Sequence, residues 1–319
     1  MTRVTVRRRV RRVTIGSRTA SREDLLAGEE PLEIRVGGRS YAVTMRTPGH
    51  DVELATGFLV SEGVVTDGAQ VAGARYCTGS GQAAVENTYN VLDVALAPGV
   101  RPPDPALARE FFTSSACGLC GKASIDAVFT RSAFDVAGDP ARVDAALLAG
   151  LPDRLRAAQA VFARTGGLHA AGLFDAATGE TLIVREDVGR HNAVDKVVGW
   201  AAAAGRLPLR GTVLVVSGRA SFELTQKAVM AGVPVLAAVS APSSLAAELA
   251  DSAGLTLVGF VRDPTLVVYA GEHRVVEHEG AGRDDTPAAH AATHAATHRT
   301  ARDTADEGRD HHDRRGDAA

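Results

Sequence analysis

The sequence predicts an α/β protein: a layered domain with a mostly parallel sheet, joined to a smaller N-terminal α+β subdomain. Two observations carry that expectation. From Leu168 onward, continuous apolar runs alternate with helix-length stretches. Strands that are apolar on both faces belong to a largely parallel sheet covered by helices on either side. Between residues 30 and 100, shorter strand-like runs flank a single helix, with glycine and proline at the breaks.

The 319 residues exceed the usual size of one domain, and 45% hydrophobic content supplies a core. The expected boundaries are a basic leader over 1–29, the α+β subdomain over 30–105, the α/β domain over 106–280 and a disordered tail over 281–319. No run approaches the roughly 18 apolar residues of a membrane span, and none resembles the apolar stretch of a signal peptide. Three cysteines are too few for a disulfide framework, which fits a reducing cytoplasm. A net charge of −3 argues against nucleic acid as the main partner.

The chain opens with Arg3, Arg7, Arg8, Arg9, Arg11 and Arg12 and no acid among them. A solvated leader is the simpler reading; an electrostatic arm for an acidic partner is the other. Leu32 to Val36 and Ser40 to Met45 flank Gly37-Gly38, a hairpin signal. Thr47-Pro48-Gly49-His50-Asp51 then opens a helix to about Glu62, with Leu54, Phe58 and Leu59 on one face. Asn87 to Leu96 reads as a strand, and the proline-rich 98–105 as a linker.

In the second half, Ala170 to Phe174 and Thr181 to Val184 pair around Thr178-Gly179. A helix over His191 to Ala203 leads to a buried strand, Thr212 to Val216. The helix Phe222 to Ala231, the strand Val233 to Val239, the helix Ser244 to Ala253 and the strand Leu255 to Val261 follow, and Leu266 to Tyr269 closes the edge. After Gly280 the sequence becomes repetitive and holds half of the ten histidines; lacking large apolar residues, it reads as disordered.

Two stretches carry chemistry. Ser114-Ser115-Ala116-Cys117-Gly118-Leu119-Cys120-Gly121-Lys122 holds two cysteines two residues apart. Ile125, Val128 and Phe129 repeat at helical spacing, so the pair precedes a helix whose N-terminus favours a thiolate, and Lys122 adds positive charge. The pair is compatible with a structural zinc site completed by Cys77 and His169, which their spacing does not support, with a redox couple, with a purely structural role, or with sulfur transfer through a persulfide. The other stretch is a set of strand ends. Ser217-Gly218-Arg219-Ala220-Ser221, Ser240 to Ser244 and Arg262-Asp263-Pro264-Thr265 follow three successive strands, and ligands of open α/β sheets bind at such ends. Hydroxyls, a glycine and two arginines suit a phosphorylated ligand; helix capping by the serines is the plainer alternative. Glu186 to Asn192 reads either as a second polar wall or as helix capping by Asp187 or Asn192 with Arg190 paired to an acid. His169 is followed by Ala170-Ala171, without the glutamate that a zinc deaminase uses to move protons.

Residues 115–122, Glu186-Asp187-Val188-Gly189-Arg190-His191-Asn192-Ala193-Val194-Asp195-Lys196, Val216 to Ser221 with Gln226-Lys227, and Leu255 to Phe260 together resemble the FdhD family, over roughly residues 30 to 272. The resemblance implies a cytoplasmic sulfur carrier with a fold similar to cytidine deaminases. It would accept sulfur from a cysteine desulfurase and pass it to the molybdenum cofactor before insertion into the formate dehydrogenase apoenzyme. Cys117 matches the family's persulfide-bearing cysteine and Cys120 its partner. Phe260, Val261, Arg262, Asp263, Pro264 and Thr265 match the stretch that holds the Mo-bis(molybdopterin guanine dinucleotide) cargo, with Arg219 in the same pocket. Asp263-Pro264 departs from the glycine and basic residue that members often carry there. No resident metal, nucleic-acid partner or membrane is implied, and a homodimer stays open. Competing readings are a cofactor-binding chaperone without sulfur transfer and a Cys-x-x-Cys redox protein.

Overall fold

In the computed structural model the described residues are 4–17, 19–77, 89–103 and 132–277. The arginine-rich start, read above as a leader, is paired as an antiparallel ribbon of β1 (Thr5–Arg12) and β2 (Ala20–Ala27). Next come β3 (Glu30–Val36) and β4 (Arg39–Arg46), turning at Gly37 and Gly38 with φ of 58° and 82°. Two consecutive positive φ values define the hairpin turn whose twist matches its strands, and glycine adopts them without a Cβ clash. The helix α1 (Asp51–Ser61), β5 (Val71–Tyr76) and β6 (Val91–Leu96) complete a four-stranded sheet in the order β4-β3-β6-β5.

The second half contains β7 (Val143–Asp144), α2 (Ala145–Ala157), α3 (Ala160–Thr165), β8 (His169–Asp175), β9 (Thr181–Asp187), α4 (Arg190–Ala203) and β10 (Thr212–Val216). After them come α5 (Phe222–Met230), β11 (Val235–Ala238), α6 (Ser244–Ala253), β12 (Thr256–Arg262), β13 (Thr265–Ala270) and β14 (Val275–Val276). The six-stranded sheet runs β13-β12-β11-β10-β8-β9. Its centre is parallel, β10 with β11 and β11 with β12, because α5 and α6 return the chain to the starting edge. Its flanks are antiparallel, β8 with β9 and with β10, and β12 with β13. Short turns join β8 to β9 and β12 to β13; parallel pairing is confined to the strands that helices connect.

Alternation along the central strands decides which helices they hold. Val213, Val215, Val235, Ala237, Val258 and Val261 pack on one side with Leu148, Leu151 and Leu155 of α2. Leu214, Val216, Leu236, Ala238 and Leu257 pack on the other with α1, α4, α5 and α6. That second cluster also takes in Leu32, Ile34, Leu92 and Val94 from the four-stranded sheet. The link between the sheets is the crossing of α1 and α4 at Gly57 and Gly199. A Cβ on Gly57 would overlap the carbonyl oxygen of Asp195, and one on Gly199 that of Glu53. No described helix is long and apolar enough to cross a membrane.

Candidate functional site at the strand ends

Because β10, β11 and β12 are parallel neighbours, their C-terminal ends lie along one edge of the sheet, and the antiparallel β8 begins there. The exit loops are tied together in series. Val239 N–H donates to the Val216 carbonyl (3.2 Å), Ser243 N–H to that of Ala220 (3.0 Å) and Phe260 N–H to that of Ser240 (3.3 Å). Ser217 and Ala170 exchange two bonds: Ala170 N–H donates to Ser217 Oγ (2.9 Å) and Ser217 N–H to the Ala170 carbonyl (3.0 Å).

Helix capping accounts for one of these serines only. Ser243 caps α6, its Oγ accepting from Ala246 N–H at 3.3 Å. Ser221 sits at the same position before α5, yet its buried Oγ makes no cap bond and has no hydrogen-bond partner among the described residues. Phe260 is 46% exposed and has φ +49°, next to a register shift between β12 and β13. A bulky side chain in that region costs on the order of 1–3 kcal/mol, a strain that clusters at binding sites.

A cavity of about 680 Å³ opens at this edge, on the α2 and α3 side of the sheet. Its walls are Pro152, Leu155, Arg156, Gln159 and Phe162 from the helical side, and Leu168, His169, Val188, Ser217, Val239, Val261, Arg262 and Asp263 from the strand side. Glu186 fixes the helical wall: its carboxylate accepts from Val161 N–H (2.9 Å) and Phe162 N–H (2.7 Å), taking up orphan donors at the start of α3. The Arg156 guanidinium lies 3.9 Å from the centre of the Phe162 ring, presenting charge and an aromatic face together. Burial, with help from the positive charge of Arg190, holds His169 below the ordinary imidazole range, which favours its neutral form.

The stretch 186–192, read as a polar wall, holds the chain more than it lines the cavity, to which it gives Val188. Asp187 is wholly buried and accepts from Thr47 N–H (3.1 Å), Gly189 N–H (2.8 Å) and Asn192 Nδ2 (3.0 Å), with Lys196 Nζ at 2.7 Å. Burial pushes its carboxyl upward against the pull of Lys196. Lys196 also donates to the Thr47 carbonyl at 2.9 Å, so the pair pins the 45–47 segment to the start of α4. A second buried pair, Lys227 with Asp195 at 2.7 Å, joins α5 to α4, and Ser61 Oγ donates to Asp195 at 2.8 Å. At the helix starts, His191 Nε2 stands 2.9 Å from Glu223 Oε2, close enough for an ion pair but not aligned as a hydrogen bond.

Of the expected cofactor residues, Val261, Arg262 and Asp263 line the cavity. Phe260, Pro264 and Thr265 lie beside it in the β12–β13 turn, and Arg219 is exposed on the β10 exit loop, outside the lining. Cys117 and Cys120 lie outside the described residues. Among the described residues no group of three His, Cys, Asp or Glu side chains is arranged to hold a metal ion. The sequence reading missed the helical wall. Its signal was Asp144 as an N-cap, accepting from Leu147 N–H at 2.8 Å, followed by Leu148, Leu151 and Leu155 at helical spacing; Pro152 inside that run hides it.

Residues 27–276 match the FdhD/NarQ family, and the chain belongs to that family. Among curated relatives, "Sulfur carrier protein FdhD" of Streptomyces avermitilis is 59% identical over 286 residues, 89% of this chain and 100% of the relative. The protein of the same name from Mycobacterium tuberculosis is 59% identical over 273 residues, 85% of this chain and 98% of its own. That from Anaeromyxobacter dehalogenans is 50% identical over 261 residues, 79% and 88%. The fold is also that of a crystal structure described as a candidate formate dehydrogenase accessory protein from Desulfotalea psychrophila. The TM-score is 0.65 at 21% identity, over 86% of this chain and 100% of that one.

Proposed function

We propose that this protein is a cytoplasmic sulfur carrier that acts as a sulfurtransferase. It takes sulfur from a cysteine desulfurase and passes it to the molybdenum cofactor destined for formate dehydrogenase. The observation that carries this reading is the 59% identity to proteins named sulfur carriers along their whole length. In the proposed reaction the Cys117 thiolate attacks the terminal sulfur of the donor's persulfide. A Cys117–S–SH bond forms and the donor thiolate leaves. Cys120 then attacks the inner sulfur of Cys117, and the terminal sulfur departs as hydrosulfide to the acceptor while the two cysteines become a disulfide.

The acceptor cargo, Mo-bis(molybdopterin guanine dinucleotide), is a large anionic molecule with pyrophosphate groups and planar guanine rings. The strand-end cavity supports that reading through its chemistry: an aromatic face at Phe162, apolar walls, and the Arg156 and Arg262 guanidiniums for pyrophosphate oxygens. Asp263, a poor neighbour for phosphate, would instead accept from the N–H edge of a guanine or face away from the cargo. Phe260, Pro264 and Thr265 would flank the cargo from the turn, with Arg219 on the neighbouring loop. The test is a single-turnover transfer with radiolabelled cysteine, a desulfurase and cofactor. Label should pass to this protein and then to the cofactor, and Cys117→Ala should stop both steps. Label reaching the cofactor equally well with the variant would leave the protein a cofactor-holding chaperone.

A further inference from the structure

Gln159 stands between α2 and α3, is only 4% exposed and lines the strand-end cavity. Its backbone is held from both sides: its N–H donates to the Arg156 carbonyl (3.2 Å) and its carbonyl accepts from Ala163 N–H (3.0 Å). A side chain just before a helix is placed to cap it. Here that task is taken. Glu186, reaching from β9, accepts from Val161 N–H and Phe162 N–H at 2.9 and 2.7 Å, and Gln159 makes no cap bond. Among the described residues its amide has no hydrogen-bond partner, yet neither polar atom is sealed from solvent. Buried polar groups are costly unless they are bonded, so an amide left open to one cavity marks that cavity as the place of its partner.

The chemistry of the amide decides what it can recognise. It presents an NH2 donor and a carbonyl acceptor side by side. The reciprocal pair is an N–H beside a carbonyl, the edge of a ring lactam; guanine carries one at N1 and O6, and a pterin ring carries another. The neighbouring walls suit a planar ring that bears phosphates. Leu155 and Phe162 supply apolar and aromatic faces, and the Arg156 guanidinium stands 3.9 Å from the centre of the Phe162 ring. Arg262 adds a second guanidinium from the strand side. The volume of about 680 Å³ lies within the roughly 300–1,000 Å³ of small-molecule sites. Guanidiniums alone would hold any phosphate. A buried amide selects by edge, because a ligand without that edge leaves it unpaired.

We propose that Gln159 reads the ring edge of the cargo: its amide pairs with a ring lactam while the Arg156 and Arg262 guanidiniums take phosphate oxygens. The proposal rests on the cargo reading above. Calorimetric titrations of the full chain test it in the wild type and in Gln159→Met. The probes are guanosine diphosphate, neopterin as a pterin without phosphate, and pyrophosphate as the phosphates without a ring. Methionine keeps the length of the side chain and removes both polar atoms. Guanosine diphosphate should bind the variant about tenfold or more weakly, with pyrophosphate within about twofold of the wild type. Weakening of neopterin alone would equally support edge reading and assign the edge to the pterin. The melting temperature of the ligand-free variant should stay level or rise, because a buried amide without a protein partner adds no bond to the fold. A fall of more than about 4 °C would make Gln159 a structural group and overturn the proposal. Unchanged affinity for both ring ligands, the result expected if the amide serves only water, overturns it too. So does equal weakening of guanosine diphosphate and pyrophosphate. These three results leave the cargo reading intact, whereas a wild type that binds none of the probes removes both.

Discussion

Replacing Asp187 with alanine strips a wholly buried carboxylate from four donors: three N–H groups and the Lys196 ammonium at 2.7 Å. Lys196 is only 1% exposed and would keep two carbonyls, those of Thr47 (2.9 Å) and Glu186 (3.4 Å), with no counter-charge. Breaking one partner of a buried pair costs about 3–5 kcal/mol. For a folded region of this size each kcal/mol moves the melting temperature by about 2–4 °C, so a loss of about 6–20 °C is expected. Lys196→Met should cost a comparable amount, because it leaves the carboxylate buried. The double variant Asp187→Ala/Lys196→Met removes both charges, so its loss should fall short of the sum of the single losses by more than about 1 kcal/mol. Calorimetry and urea unfolding of the four proteins measure the cycle. Additive losses, or an Asp187→Ala cost under about 1 kcal/mol, would refute the account of how the 45–47 segment is held to α4.

Gly57→Ala should destabilise by about 1–3 kcal/mol or more in the same assays, since its methyl group meets the backbone of Asp195 rather than a movable side chain. An unchanged melting temperature would mean that the helices do not cross there. Burial holds both His169 and His50 below the ordinary imidazole range, so the folded chain takes up these protons less readily than the unfolded chain. Their contribution is complete above about pH 6.5 and is lost as pH falls toward the folded-state values. Urea unfolding at about pH 7.5 and 5.5 should therefore show a smaller acid loss for His169→Gln than for the wild type; equal losses count against it. Arg262→Ala should weaken binding of guanosine diphosphate about 10-fold or more by calorimetry, as one charged hydrogen bond is lost. Arg219→Ala should do less, being outside the cavity lining; a larger effect from Arg219 would move the ligand toward the β10 loop.

The elements legible in the sequence were those with strong local signals. Apolar runs at 212–216 and 233–239 and the serine-led helix at 244–253 fall within a residue or two of β10, β11 and α6. Gly37-Gly38 announced the β3–β4 hairpin because the turn needs two positive φ values. The β8–β9 hairpin was legible as well, since Ala170 to Phe174 and Thr181 to Val184 flank the Thr178-Gly179 turn and pair antiparallel; the apolar runs did not show that β8 also runs antiparallel to β10, or β13 to β12. The first ribbon was hidden because five arginines among its eight β1 residues look like a solvated run, whereas cross-strand pairing with β2 does not show in either segment alone.

The convergence of Ser217, Val239 and Arg262 at one cavity could be reasoned from the order of strands and helices, since parallel neighbours end on one edge. Arg156, Gln159 and Phe162 could not, because their wall depends on a carboxylate at Glu186 reaching across from β9 to hold the start of α3. The Asp187–Lys196 and Asp195–Lys227 pairs were likewise invisible as pairs: α4 presents an acid and a base side by side, and each finds its partner in a different element.

The central claim is that sulfur rides on Cys117. Intact-mass spectrometry after incubation with a cysteine desulfurase and cysteine tests it directly. The wild type should gain about 32 Da, one sulfur, reversible by a thiol reductant through exchange at the persulfide, and Cys117→Ala should gain nothing. A wild type that stays at its original mass beside a desulfurase active on another acceptor, or a Cys117→Ala variant that loads as well as the wild type, would contradict the account.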